Sequence, residues 1–484
     1  MKTKSVSNST KSSFKLNYKR TMLIGFAFFG ILLLWQVYDS WCPTFLSELF
    51  KEAFHTDNET EVQYLVGIMM AMDNLAALIL LPIFGHLSDK TKTPIGKRMP
   101  YILVGTFVCA TSFPFIPVLF HYHNMAGTIA MMAIVVVFSM MYRNPAVSLM
   151  PDMTPKPLRS KANGIINIMG YVGGACGTLA GVAFVLSDYL GKNSANWLAG
   201  PAHSNIWIIE IPFLLASALM LISAIVLFFT IKENKIEKEM EPEMKRGEEV
   251  TETADAVSDE APLSKANRTM LFLILAAEFF WFMADNGIGT FMGNYTLYYL
   301  HSSTGSNQVN TIIGGLGSVL GFAVGGYIAA KIGRKWTAFT GLGLTGVALA
   351  IWAILTFAIP VSVPTEGYNA FPWYLFIIWG VKGFGMSLVH VNSYPMVVEL
   401  CTSKKIGAYT GYYYASSMAA QTVTPVALGS MLLVLGHSDA WKFLPIYAVT
   451  CLAISFVIFA FVKNVKTSKT EIKVGLEGIG TDED

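Results

Sequence analysis

Residues 22–46, MLIGFAFFGILLLWQVYDSWCPTFL, form an apolar run interrupted by a single acid, Asp39. Roughly 17–25 such residues cross a bilayer as one helix. Eleven further runs follow near 62–85, 101–120, 125–149, 164–190, 206–231, 269–300, 309–330, 336–359, 371–398, 408–434 and 441–462. The chain of 484 residues is 53% hydrophobic and only 14% charged, with a mean hydropathy of +0.50. A soluble domain carries about a quarter charged residues. The expectation is an all-α membrane protein of twelve transmembrane helices.

Basic residues give the orientation. Of the 34 Lys and Arg, only Lys51, Lys192 and Lys442 fall in loops on one side, and only Arg143 and Lys382 inside spans. The rest occupy the N-terminus, the loops after even-numbered spans and the C-terminal tail, and retained basic residues mark the cytoplasmic side. Both ends are therefore expected in the cytoplasm, in a multi-pass protein of the plasma (inner) membrane. The formal net charge of +2 reflects topology and gives no case for nucleic acid. The polar first twenty residues precede a run long enough to span, so span 1 reads as retained. Five cysteines (Cys42, Cys109, Cys176, Cys401, Cys451) without metal-ligand spacing argue against a disulfide framework and against a metal site. No HExxH, GxSxG or GxxxxGK[ST] pattern supports an enzyme.

Residues 232–268 are the longest polar stretch, too polar to bury, and read as a cytoplasmic linker between six spans and six. The expected organisation is a first half at 1–231, the linker at 232–268 and a second half with a short tail at 269–484. The halves echo each other. Trp35-x3-Asp39-x5-Phe45 in span 1 recurs as Trp281-x3-Asp285-x5-Phe291 in span 7, and Asn144-Pro145-x-Val147 in span 4 as Tyr394-Pro395-x-Val397 in span 10. The loop after span 2 has Gly85-x4-Lys90 then Gly96-Lys97-Arg98; that after span 8 has Gly326-x4-Lys331 then Gly333-Arg334-Lys335.

Six helices, a charged linker and six helices resemble the major facilitator transporters, whose halves rock about a midplane site. Glycines every four residues, Gly173, Gly177 and Gly181 in span 5 and Gly317, Gly321 and Gly325 in span 8, give smooth faces for close approach. In that fold spans 5 and 8 face each other across the seam, so these faces are expected to slide there.

Residues 85–103, GHLSDKTKTPIGKRMPYIL, resemble the facilitator loop motif in an expanded form typical of sucrose-type and glycoside-pentoside-hexuronide cation symporters, with Gly85, Asp89, Lys90, Gly96, Lys97, Arg98 and Pro100 in place. The stretch with Pro145, Asp152, Arg159, Ala162 and Asn163, and the Met72-Asp73-Asn74 triplet followed by Pro82, are similar to the same group. The resemblance implies that Gly85, Asp89, Lys90, Gly96, Lys97 and Arg98 form a conformational latch, with Asp89 binding helix ends and basic residues of the neighbouring half in the outward-open state. Ala330 stands at the equivalent position of the second half. One departure stands out: the carboxylate that sucrose symporters carry nine residues before Pro145 is Val136 here.

Six ionisable side chains, Asp39, Asp73, Arg143, Glu278, Asp285 and Lys382, lie inside apolar runs, where each costs about 2.5–3.5 kcal/mol on an insertion scale. In the facilitator fold spans 1, 4, 7 and 10 line the cavity, and all but Asp73 fall there. Carboxylates beside a movable Arg or Lys can switch protonation, so Asp39, Asp73, Glu278 and Asp285 are proton-coupling candidates. Asp73 and Arg143 read equally well as a structural ion pair. Glu210, a few residues into span 6, reads as interfacial.

By helical spacing Glu278, Trp281 and Asp285 share one face, as do Trp35, Tyr38 and Asp39. Aromatic planes beside amides and charges suit a sugar, whose C–H faces pack on rings while its hydroxyls need aimed partners. The substrate-binding candidates are Trp35, Tyr38, Arg143, Asn144, Asn167, Tyr171, Trp281, Lys382, His390, Asn392 and Gln421, with Asn74, Asn286 and Tyr295 as further polar groups. His390 can also serve as a relay or a packing residue. Trp41, Trp207, Trp373 and Trp441 lie near outer span ends and read as interfacial anchors.

The expected function is import of a glycoside, of sucrose or maltose type, by proton symport. No cofactor is expected beyond the coupling ion, H+ or alternatively Na+. Partners are the sugar and membrane lipid, and the chain is expected to work as a monomer. The rival is proton-coupled export of an amphipathic small molecule.

Overall fold

The computed structural model describes residues 15–155, 158–190, 205–255, 265–365, 367–398, 400 and 406–463. Among them are twelve helices long and apolar enough to cross a membrane: α1 (Tyr18–Phe54), α2 (Gln63–Lys90), α3 (Met99–His121), α4 (Met125–Asp152), α5 (Lys161–Leu190), α6 (Trp207–Thr230), α7 (Asn267–Tyr299), α8 (Thr304–Ile332), α9 (Arg334–Ala358), α10 (Trp373–Val397), α11 (Tyr409–Leu435) and α12 (Asp439–Ala460). The fold is all-α, as the apolar runs require. α1 has 37 residues, about 55 Å at 1.5 Å per residue, well beyond a hydrocarbon core of about 30 Å. Asn17 caps its start by accepting from the Arg20 amide at 3.0 Å, and His55 ends it in the left-handed conformation.

Packing repeats between the halves. In the first, α1 packs on α5 and α6, α4 on α2 and α3, and α3 on α6; in the second, α7 packs on α11 and α12, α10 on α8 and α9, and α9 on α12. Across the seam α2 meets α11, α5 meets α8 and α1 meets α7. Rings tie the first half together where Phe45 stacks on Phe120 at 4.1 Å and on Phe213 at 5.9 Å. Trp352 does so in the second, 5.4 Å from Tyr295 and 5.2 Å from Trp379.

Three expectations are corrected. First, the internal repeat of span 1 is one helical turn out of register. The buried and exposed pattern of residues 31–40 returns position for position at 281–290, so Trp35, not Asp39, is the counterpart of Asp285. Thr44 and Asn294, 250 positions apart, meet across the seam, as mates near a two-fold axis must. A four-residue slip keeps a helix face nearly unchanged, so matching letters cannot detect it.

Second, the glycine faces do not meet each other. Added side chains at Gly173 and Gly177 would strike Phe29 and Gln36 of α1, and at Gly317, Gly321 and Gly325 would strike Gly380, Ser387 and Val391 of α10. Only Gly181 reaches across, to Gln308 of α8. Small residues here bring helices of one half together. The close approach across the seam lies elsewhere: a Cβ at Gly67 of α2 would run into the Pro425 carbonyl of α11, and one at Gly429 into the Gln63 carbonyl.

Third, the described part of the linker is not wholly too polar to bury. Glu233–Asp255 is a helix whose Glu233 and Met240 are buried. Of the expected interfacial tryptophans, Trp207 and Trp373 are exposed while Trp41 and Trp441 are buried. Cys42, Cys109, Cys176 and Cys451 are free thiols; Cys401 lies outside the described residues.

Candidate transport pathway

Asp39 is exposed in the middle of α1, although Val37, Tyr38 and Trp41 around it are buried. Arg143 on α4 lies within electrostatic reach of Asp39 and of Tyr414 on α11. In the second half, Lys382 Nζ on α10 donates to Asp285 Oδ1 on α7 as an ion pair. His390 lies within electrostatic reach of both, and its ring is 5.5 Å from Phe282. Each half thus sets an acid of its first helix near a base of its fourth. Among the described residues the second-half pair is in contact and the first-half pair is not. Charges at this depth survive only toward water or each other.

Other candidates lie apart from these. Glu278 and Trp281 are fully buried. Both Glu278 carboxyl oxygens lack a hydrogen-bond partner, and its electrostatic neighbour is Tyr413 of α11. Trp281 packs on Phe459 of α12 at 6.3 Å. The spacing that aligned Glu278 with Asp285 fixes azimuth, not depth, and seven residues are about 10 Å of rise. Asp73 is buried, with Asp39 as its electrostatic neighbour, so the alternative of an Asp73–Arg143 ion pair is not what forms. Asn144 donates to the Leu81 carbonyl at 2.6 Å and abuts Gly85, clamping α4 to α2. Asn392 donates to Leu388 of its own helix at 2.8 Å. Tyr295 is buried with its hydroxyl 3.2 Å from Thr356 Oγ1.

Trp35 is partly buried, edge-on to the buried Tyr38 at 5.4 Å. Asn74, Asn167, Asn286 and Gln421 are partly exposed and Tyr171 is exposed; Gln421 stands one turn before Pro425. Glu210 is buried in the first turn of α6, at the end of that span.

The two ends of the bundle differ. The hydrogen bonds that join the halves among the described residues lie at the end away from the linker. There Thr44 Oγ1 donates to Asn294 Oδ1 at 2.7 Å, Asn294 Nδ2 to Gln63 Oε1 at 3.1 Å, and Trp441 Nε1 to Glu59 Oε1 at 3.2 Å. Asn58 Nδ2 donates to the Gly436 carbonyl at 2.8 Å, and the Ser187 amide to Thr304 Oγ1 at 3.1 Å. Of these residues sequence reading singled out Trp441, as an interfacial anchor, and missed the rest, because isolated amides and hydroxyls near span ends look like solvated termini.

At the linker end the loop motif closes on its own half. Arg98 pairs with Asp89, reaches Asp152 at 2.9 Å and donates to Ser88 Oγ at 2.5 Å. Lys97 bridges Asp152 at 3.3 Å and Glu237 of the linker helix at 3.4 Å. Glu233 accepts the backbone amides of Lys97, Arg98 and Met99 at 3.0 Å each, supplying the partners that the first turn of α3 lacks. Burial raises the Glu233 carboxyl above its ordinary value, against the opposing pull of those amides. Gly96, at φ 121°, leaves room that a Cβ would take from the Glu233 carboxylate. Lys90 is exposed. Asp89 therefore meets Arg98 rather than the other half.

Twelve spans in two matched halves, with acid–base pairs deep in the bundle and one sealed end, define a secondary transporter of the alternating-access kind. The sequence matches the Major Facilitator Superfamily over residues 3–178, 43–358 and 270–481; the chain belongs to that superfamily. In structure it is similar to a bacterial homologue of the human lysosomal transporter Spinster, inward-facing and occupied (TM-score 0.62, 13% identity, covering 93% of this chain and 97% of that one). It is also similar to a bacterial homologue of the iron transporter ferroportin, inward-facing (0.60, 14%, 93% and 99%), and to a POT family transporter in complex with 5-aminolevulinic acid (0.60, 12%, 92% and 96%). At such identities the likeness speaks for the fold alone. No curated protein matches the chain by sequence.

Proposed function

We propose that the protein imports a glycoside, of sucrose or maltose type, together with protons across the plasma (inner) membrane, as a monomer with linker and both termini in the cytoplasm. The observation that carries this is the pair of acid–base couples, Asp39 with Arg143 and Asp285 with Lys382, one in each half. A base that leaves or meets its carboxylate as the halves rock changes that carboxylate's affinity for a proton. A membrane potential of about 100 mV supplies roughly 2.3 kcal/mol per charge moved, enough for an accumulation on the order of 50-fold. Asp73 and Glu278 remain proton-coupling candidates, since each has a carboxyl oxygen without a partner. Trp35, Tyr171, Asn167, His390 and Gln421 are the proposed sugar contacts, and the loop motif with its docked linker is the proposed latch. The polar partners accompanying the acids favour a hydroxyl-rich cargo over an amphipathic one.

Uptake of radiolabelled sucrose and maltose into proteoliposomes tests this. An imposed inward proton gradient is expected to drive accumulation, and Asp39→Asn and Asp285→Asn to abolish it while Glu210→Gln retains most of it. Accumulation driven by sodium alone would replace the proton with sodium. Uptake of every glycoside indifferent to both gradients, or equal activity in all three variants, would sink the proposal.

A further inference from the structure

The seal at the end away from the linker contains an ion pair that the bundle has buried almost completely. Glu48 and Lys51 on α1 are 1% and 5% exposed, with Lys51 Nζ 3.1 Å from Glu48 Oε2. The second half completes the cluster: Tyr298 donates its hydroxyl to Glu48 Oε1, and Lys51 Nζ sits 5.0 Å from the centre of the Tyr298 ring. Tyr298 reaches this position from a single π-helical turn, Tyr295–Tyr299, that ends α7. Such turns insert an extra residue into the helix and are frequent at functional sites. The counterpart stretch of α1 is ordinary α-helix. Beside the cluster, Gln63 Nε2 donates to Ser47 Oγ at 2.9 Å and Gln63 accepts from Asn294, so buried polar bonds run unbroken from α1 through α2 to α7.

We propose that Glu48, Lys51 and Tyr298 form the gate of this end, and that its charges are there to let it reopen. Apolar residues of similar volume in place of a buried ion pair often make the packed state more stable. A buried ion pair recovers its hydration when the halves part, so burying it offsets much of what closure gains. The hydrogen bond from the Tyr298 hydroxyl breaks as the gate opens, and the Glu48–Lys51 pair is the part that favours release. The gate acts whatever the cargo or coupling ion.

The two elements push in opposite directions, which makes the test strict. Spin labels at Asp57 and His437, on the two sides of the seam, report the open fraction by pulsed electron double resonance in the full chain with its native cysteines replaced. Tyr298→Phe is expected to raise the open fraction roughly tenfold, as removing a hydrogen bond to a charged group would. Because Glu48 is also the acceptor of that hydrogen bond, the ion pair is tested in the Tyr298→Phe background, where adding Glu48→Leu with Lys51→Met is expected to bring the open fraction back down, below that of the parent. Tyr295→Phe, from the same π turn but bonded to Thr356 within its own half, is expected to leave it unchanged. An open fraction unmoved by Tyr298→Phe, moved equally by Tyr295→Phe, or left as high in the triple variant as in Tyr298→Phe overturns the proposal. If Tyr298→Phe alone does not fold, the triple variant decides, and an open fraction above the parent's overturns the proposal.

Discussion

The two ends of this bundle are held by opposite strategies. Away from the linker, α1, α2 and α5 bond directly to α7 and α8, and the α1–α2 turn to the α11–α12 turn. At the linker end, the bonds of Asp89, Lys97, Arg98 and Asp152 stay within the first half and its linker helix. The difference teaches how a rocking protein keeps each half rigid while one mouth is apart. The linker end is braced internally by charge, where solvent tolerates it, and the other end is joined by backbone approach and by hydrogen bonds, among amides and hydroxyls and onto Glu48 and Glu59, around one buried ion pair.

The largest expected effect breaks the closed end. Gly67→Leu or Gly429→Leu drives a side chain into a carbonyl of the opposing helix. Backbone on both sides cannot give way as a flexible side chain would, so closure should lose about 3 kcal/mol, at the upper end of the usual overpacking range. Substituted-cysteine labelling from that side should show a mouth standing open.

A smaller effect tests whether the linker end is braced within one half. Arg98→Gln removes the pairs to Asp89 and Asp152. Because Asp89 is 57% exposed and Asp152 24%, the loss should be about 1–3 kcal/mol rather than that of a wholly buried pair. Thermal unfolding should fall while the Asp57–His437 spacing stays as in the parent; a shift in that spacing would show the two ends are not independent.

The smallest concerns the docked linker. Glu233→Gln keeps the shape but weakens three charge-assisted bonds at the start of α3, an effect of about 1 kcal/mol. Amide exchange of the linker helix should quicken while that of α4 does not. Equal quickening throughout the first half would mean that Glu233 supports the whole half and not the docking alone.

How legible was this in the letters? Lipid leaves the backbone no partner but itself, so each long apolar run had to be a helix, and the twelve spans were readable from composition. The intramembrane charges were readable too, because their cost makes them conspicuous. Their partners were less so: Asp285 was found beside Lys382, but Glu278 and Trp281 turned out buried against α11 and α12, since helical spacing gives direction around an axis and not depth along it. The loop motif was visible, while its closure on Glu233 was not, because a glutamate in a charged linker looks like any solvated residue.

The sequence by itself determined the span count, the six-plus-six division of polar and apolar stretches and the presence of buried acids and bases, all consequences of what a bilayer will accept residue by residue. Only the tertiary structure decided which helix faces meet. It turned the glycine stripes inward on α1 and α10, brought Gly67 against Pro425, and carried Tyr298 onto Glu48 from 250 positions away. Those choices depend on packing of whole helices against each other, which no local pattern of residues encodes.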